Sequence, residues 1–126
     1  MLHQQARSLR SFIGSLDYGQ SREFYRRLGF AELELSERMC YFKVNDKLGF
    51  YLQDYHVADW VQNSMIFLEV VDVEESHRLI QSLDLPGRFP NVRLSEIKEE
   101  TWGKEFFLHD PSGVLWHIGA FLPSDS

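Results

Sequence analysis

The residue types best able to do chemistry gather near the end of the chain: Trp102, Glu105, His109, Asp110 and His117 all fall within residues 101–121. Imidazole and carboxylate groups ligate divalent metals, and an indole offers a flat apolar face on which a ligand ring can stack. Which of these groups act together depends on the backbone that carries them. Residues 104–109, dominated by Phe106, Phe107 and Leu108, predict a strand. Asp110-Pro111-Ser112-Gly113 has the chemistry of a type I turn, with an Asx acceptor first, Pro next and Gly fourth. Residues 114–121 return as a second strand. A four-residue turn pairs His109 with Val114 and Phe106 with His117. Because side chains alternate along a strand, His109 and Glu105 then lie on the face opposite His117. On that reading the two histidines do not share an ion, and no metal is expected.

Composition narrows the function further. With 13 Lys and Arg against 19 Asp and Glu, the net charge of −6 disfavours a protein that tracks nucleic acid phosphates. It suits a cationic or neutral small ligand. Ten Phe, five Tyr and three Trp exceed what a core of this size requires, so some rings are expected to line a cavity. Cys40 is the only cysteine; it excludes an intramolecular disulfide and reads as a small core residue of a protein in a reducing compartment. No apolar run approaches the ~20 residues of a membrane helix. The expectation is a soluble cytoplasmic protein with neither nucleic acid nor membrane as partner. Phosphate-binding glycine loops, Gly-x-Ser-x-Gly elbows and Cys-x-x-Cys pairs are absent.

Residues 9–16 predict a strand, with Asp17 capping a helix that carries Phe24, Tyr25 and Leu28 and stops at Gly29. Strands at residues 30–35, 39–44 and 47–53 follow, the last two joined by a two-residue turn at Asn45-Asp46. In that register Tyr41 faces Phe50, and both point the same way. Residues 54–63 read as a connector holding His56 and Trp60. The pattern then restarts: a strand at 65–71, Asp72 as cap, and a helix with Leu79, Ile80 and Leu83 on its apolar face. His56 and His77 are expected on the surface, and the Lys98-Glu99-Glu100 run at a solvated strand end. A shift of 55 superposes Phe12 on Phe67, Asp17 on Asp72, Ser21 on Ser76 and Leu28 on Leu83. Later the offset grows to 67. The expectation is one α+β domain, residues 1–126, made of two βαβββ modules at about 9–53 and 64–121 that form cupped mixed sheets.

Paired βαβββ modules resemble the vicinal-oxygen-chelate superfamily of glyoxalases, extradiol dioxygenases and bleomycin-resistance proteins. The residues that carry the likeness are Asp17, Ser21, Phe24-Tyr25, Leu28-Gly29-Phe30, Trp102-Gly-Lys-Glu-Phe106 and Asp110-Pro-Ser-Gly113. The second group is similar specifically to the bleomycin-binding branch. The resemblance implies four metal-ligand places in the enzymes, which fall here on Arg10, Phe50, Met65 and His117. Arginine, phenylalanine and a thioether are poor ligands for a hard divalent ion, leaving only His117. The implied function is therefore non-catalytic sequestration of an aromatic compound, cationic or neutral, without cofactor. Its ligand-binding residues would be Arg10, Tyr41, Phe50, Trp60, Met65, Trp102 and His117. The alternative implied by the same fold is a metal-dependent lyase, isomerase or oxygenase. The resemblance also implies a homodimer with ligand crevices between subunits.

Overall fold

Each half of the chain builds its own mixed sheet, and the two sheets share one strand order. The computed structural model describes residues 1–123. A short exposed helix α1 (Leu2–Gln5) precedes β1 (Phe12–Ile13), α2 (Tyr18–Arg27), β2 (Ala31–Ser36), β3 (Met39–Lys43) and β4 (Gly49–Gln53). After α3 (Ala58–Gln62) come β5 (Met65–Glu69), α4 (Val73–Ser82), α5 (Leu85–Arg88), β6 (Arg93–Leu94), β7 (Lys98–Glu100), β8 (Gly103–His109) and β9 (Leu115–Phe121). The first sheet runs β1-β4-β3-β2 and the second β5-β9-β8-β6, with β7 also on β8. In each, the first strand lies parallel to the last. The two long helices start alike: Asp17 accepts from the Gln20 N–H and Asp72 from the Glu75 N–H, both at 3.0 Å. Gly29 adopts φ +94°, the left-handed ending expected of it.

Apolar side chains from both halves meet in one core. Phe24 and Tyr25 of α2 pack with Phe42 and Phe50 of the first sheet, and Phe106, Leu108, Trp116 and Ile118 come from the second. A buried polar network runs through this core. The Tyr25 hydroxyl donates to Asp110 Oδ2 at 2.6 Å and accepts from Trp116 Nε1 at 3.0 Å. Asp110 Oδ1 takes the Ser112 and Val114 N–H groups, each at 2.9 Å. Ser112 Oγ in turn accepts from the Leu16 N–H at 2.9 Å and lies 3.2 Å from Ser21 Oγ. The Asp110-Pro-Ser-Gly113 turn is therefore bolted to the first helix.

Several local expectations are corrected. β1 is only two residues long, because β4 engages it through Phe12 and Ile13 alone. The connector contains the short helix α3. Residues 85–88 form a further short helix, α5. On α4, Leu79 is exposed, whereas His77 is buried, with Nε2 2.8 Å from the Ser95 carbonyl and its ring edge-on to Phe106. Both hairpin registers move by one residue. The first loop is longer than two residues: Val44 N–H bonds to the Leu48 carbonyl, and Asn45 Oδ1 accepts from the Lys47 and Leu48 N–H groups. Tyr41 accordingly pairs with Tyr51 and Phe42 with Phe50, so Tyr41 and Phe50 lie on opposite faces. In the second hairpin Asp110 takes Val114 into the turn, and His109 pairs with Leu115 and Phe107 with His117.

Candidate ligand-binding faces

The register shifts decide which side chains share a surface. Strand residues facing the helices are buried: Cys40, Phe42, Phe50 and Leu52 in the first sheet, Leu108, Trp116 and Ile118 in the second. Burial also pushes the Cys40 thiol up to about 11, which suits a core residue. The opposite face of each sheet is open, and each open face carries a three-ring ladder across neighbouring strands. In the first sheet Phe12 stacks on Tyr51 at 4.6 Å, and Tyr51 meets Tyr41 at 5.1 Å. In the second Phe67 lies 6.4 Å from His117, which meets Phe107 at 5.0 Å. Tyr41 corresponds to Phe107 and Tyr51 to His117 at an offset of 66, with Phe12 corresponding to Phe67 at 55. The internal repeat thus places equivalent rings on equivalent faces.

Each ladder is flanked differently. On the first, the Arg10 guanidinium sits 4.7 Å from the Tyr41 ring centre and donates to the Tyr51 hydroxyl at 3.0 Å. On the second, Met65 Sδ lies 3.5 Å from His117 Nε2, while Glu105 accepts from His117 Nδ1 at 2.9 Å. Glu105 is nearly buried, and its shared face with His117 corrects the expected register, as does the placing of His109 on that face. Trp102 extends the second face, edge-on to Phe67 at 5.7 Å and 5.4 Å from Phe121. Gly119 keeps a floor under these rings, since a Cβ there would stand 3.2 Å from Phe67 Cζ.

Of the seven residues singled out from sequence, the structure puts Arg10 and Tyr41 on the first open face and Met65, Trp102 and His117 on the second. Phe50 does not join them. It is 3 % exposed and packs on Trp116, its repeat equivalent, at 5.3 Å. Trp60 touches no ring of either ladder and lies beside Tyr55 and against Gly14. Sequence reasoning missed Phe12, Tyr51, Phe67 and Phe121. An offset of 66 instead of 67 would have picked out Tyr51.

Sequence comparison finds no matching family model and no matching curated protein. Solved structures do match. A bleomycin-binding protein from bleomycin-producing Streptomyces verticillus, complexed with copper(II)-bleomycin, superposes with a TM-score of 0.76 at 17% identity, over 93% of this chain and 99% of that one. The fold is that of the bleomycin-binding and glyoxalase/bleomycin resistance proteins. A bleomycin resistance determinant encoded on the transposon Tn5 gives 0.73 at 20% identity, over 94% and 100% of the two chains. A fosfomycin resistance protein from Listeria monocytogenes, complexed with Mn(II) and sulfate, gives 0.68 at 13% identity, over 93% and 91%.

A fold that also carries Mn(II) calls for a test of the donors present. The corrected offset replaces Phe50 by Tyr51, so the four equivalent places hold Arg10, Tyr51, Met65 and His117. A fixed cation, a phenol bonded to that cation and a thioether do not suit a hard divalent ion. Among the described residues no group of three or more His, Cys, Asp and Glu side chains gathers as a metal site. No helix among them is long and apolar enough to cross a membrane.

Proposed function

We propose that this protein binds a planar aromatic compound on its ring-lined sheet faces and sequesters it without catalysis. The observation that carries this reading is the repeated ladder of rings on surfaces turned away from the core. Phe12 at 47 %, Phe67 at 42 %, Phe121 at 56 % and Met65 at 64 % exposure form apolar ground that water covers poorly. Flat ligands stack on such rings with the offset or edge-on geometry that aromatic pairs prefer. A net charge of −6 and the Glu105 carboxylate under His117 favour compounds carrying positive charge.

The reading includes a homodimer in which the first face of one subunit meets the second face of its partner. Exposed apolar residues on both faces and a fully exposed N-terminal arm, with Leu9 at 101 %, support it. A two-fold axis repeats any such contact, giving two equivalent crevices. Light scattering at micromolar concentration is expected to give twice 14.9 kDa. Phe12→Ala and Phe67→Ala are each expected to weaken binding of bleomycin, or of another planar cation that binds. Monomeric mass would remove the shared crevice, and undiminished binding by both variants would remove the faces as the site.

A further inference from the structure

A cavity with several polar groups in its wall lies at the other end of β8 from Trp102. From Gly103 to His109 the strand spans six steps, about 20 Å at ~3.4 Å each. There a cavity of about 630 Å³ opens between the β8–β9 turn, the connector and the start of β6. Its wall includes His56, Gln62, Asn91, Arg93, His109 and Ser112, and it contains no carboxylate. In a chain with 19 acidic residues against 13 basic ones, such a wall is a local inversion of charge. Asp110, the acid next in sequence, is turned away: Oδ2 is taken by Tyr25, and Oδ1 by the Ser112 and Val114 N–H groups.

Arg93 stands directly opposite His109 across the antiparallel β6–β8 pair. Among the described residues no Asp or Glu lies within ion-pair distance of Arg93. The exposed Arg93 guanidinium thus lines the cavity without an acidic partner, with imidazoles from the connector and β8, and side-chain amides from α3 and the segment before β6. We propose that this cavity is an oxyanion site taking a phosphate-type group, with Arg93 as the charged fork and His109, His56, Gln62 and Asn91 as further donors. Donors from four separate segments suit a tetrahedral oxyanion, whose oxygens point several ways, better than a planar one. The cavity has room for the remainder of a small organic phosphate. Of the wall groups, only Arg93 and His56 join His109 as charged or titratable. Burial first, and then the Arg93 charge, hold the His109 pKa below its ordinary value, and a bound anion would act in the opposite direction. Bound phosphate should raise the midpoint of the His109 titration.

The test follows the histidine ring proton resonances of the full-length protein during titration with inorganic phosphate and, separately, phenyl phosphate. Chloride at matched ionic strength is the control. Saturable movement of the His109 signal is expected, weakened by about tenfold or more in Arg93→Gln, the scale for losing a hydrogen bond to a charged group. Tighter binding of the ester assigns the site to an organic phosphate, and equal binding assigns it to the free anion. Arg93→Lys, which keeps the charge but not the fork, should fall between. His109→Gln is the second variant, expected to bind phosphate with less pH dependence. An adventitious response is recognised by chloride moving the same signals equally. The site is overturned by that result, by no saturable shift with either phosphate, or by Arg93→Gln binding undiminished.

Discussion

Tyr25→Phe removes one oxygen atom and tests how the two halves are locked. That oxygen donates to Asp110 Oδ2 at 2.6 Å and accepts from Trp116 Nε1 at 3.0 Å, and all three side chains are buried. Without it, Asp110 loses a hydrogen bond to a charged acceptor, a loss of about 1.5–3 kcal/mol. The Trp116 N–H is left without a partner inside the core, adding about 1 kcal/mol. Ring packing against Phe24, Phe42 and Phe50 is unchanged, so the expected destabilisation is about 3 kcal/mol. Urea unfolding followed by fluorescence measures it, with an unchanged slope required for the comparison. The sign of the pH dependence is also fixed. Burial raises the Asp110 pKa, and the Tyr25 hydrogen bond opposes that rise. Losing Tyr25 raises the folded-state value further above the ordinary one. A carboxyl with a raised folded pKa is a burden above that value and is relieved as pH falls through it. The deficit of the variant should therefore shrink on acidification. A loss below about 1 kcal/mol at neutral pH would refute the view that this network joins the modules.

Three further outcomes follow from single residues. His109 has its folded pKa lowered by burial and by Arg93, so its contribution to stability is present above about 6.5 and is lost as pH falls below that. The stability difference between wild type and His109→Gln should accordingly change between pH 7.5 and pH 5, about a unit or more either side of the ordinary histidine value; a constant difference would contradict the assigned environment. Cys40, buried with its thiol pushed up to about 11, should resist a water-soluble disulfide reagent at pH 8 until urea unfolds the protein, and rapid native labelling would place it elsewhere. Gly49→Ala would put a Cβ 2.7 Å from the Phe42 carbonyl and into the Tyr41 ring end, so it should destabilise and disturb the Arg10–Tyr41 stack. Unchanged stability would show that the hairpin yields there.

Much of this architecture was readable from residue types. Asp17 and Asp72 announced two capped helices, and the 55-residue repeat announced two sheets of the same order. The paired βαβββ modules resemble a known superfamily, and the residues around Asp110-Pro-Ser-Gly113 resemble its bleomycin-binding branch, whose fold solved structures match. Faces were harder, because a one-residue slip turns every side chain over. Asn45 bonds two backbone groups and lengthens its loop, and Asp110 draws Val114 into its turn, so both slips came from side-chain acceptors whose reach spacing alone does not give. They moved Phe50 into the core and brought Glu105 to His117. His77 was missed for another reason: its partner is the Ser95 carbonyl, eighteen residues away.

The three tryptophans allow the central claim to be tested in one titration. Trp116 is buried, Trp60 packs beside Tyr55 with no ring contact to either ladder, and Trp102 borders the second face with Phe67 and Phe121. In Trp60→Phe protein, fluorescence from a surface indole reports on Trp102. Addition of bleomycin and of a panel of planar cationic compounds is predicted to give saturable quenching by at least one, lost when Trp102 is also replaced by Phe. No saturable quenching by any of them, or the same quenching without Trp102, would contradict ligand capture on this face.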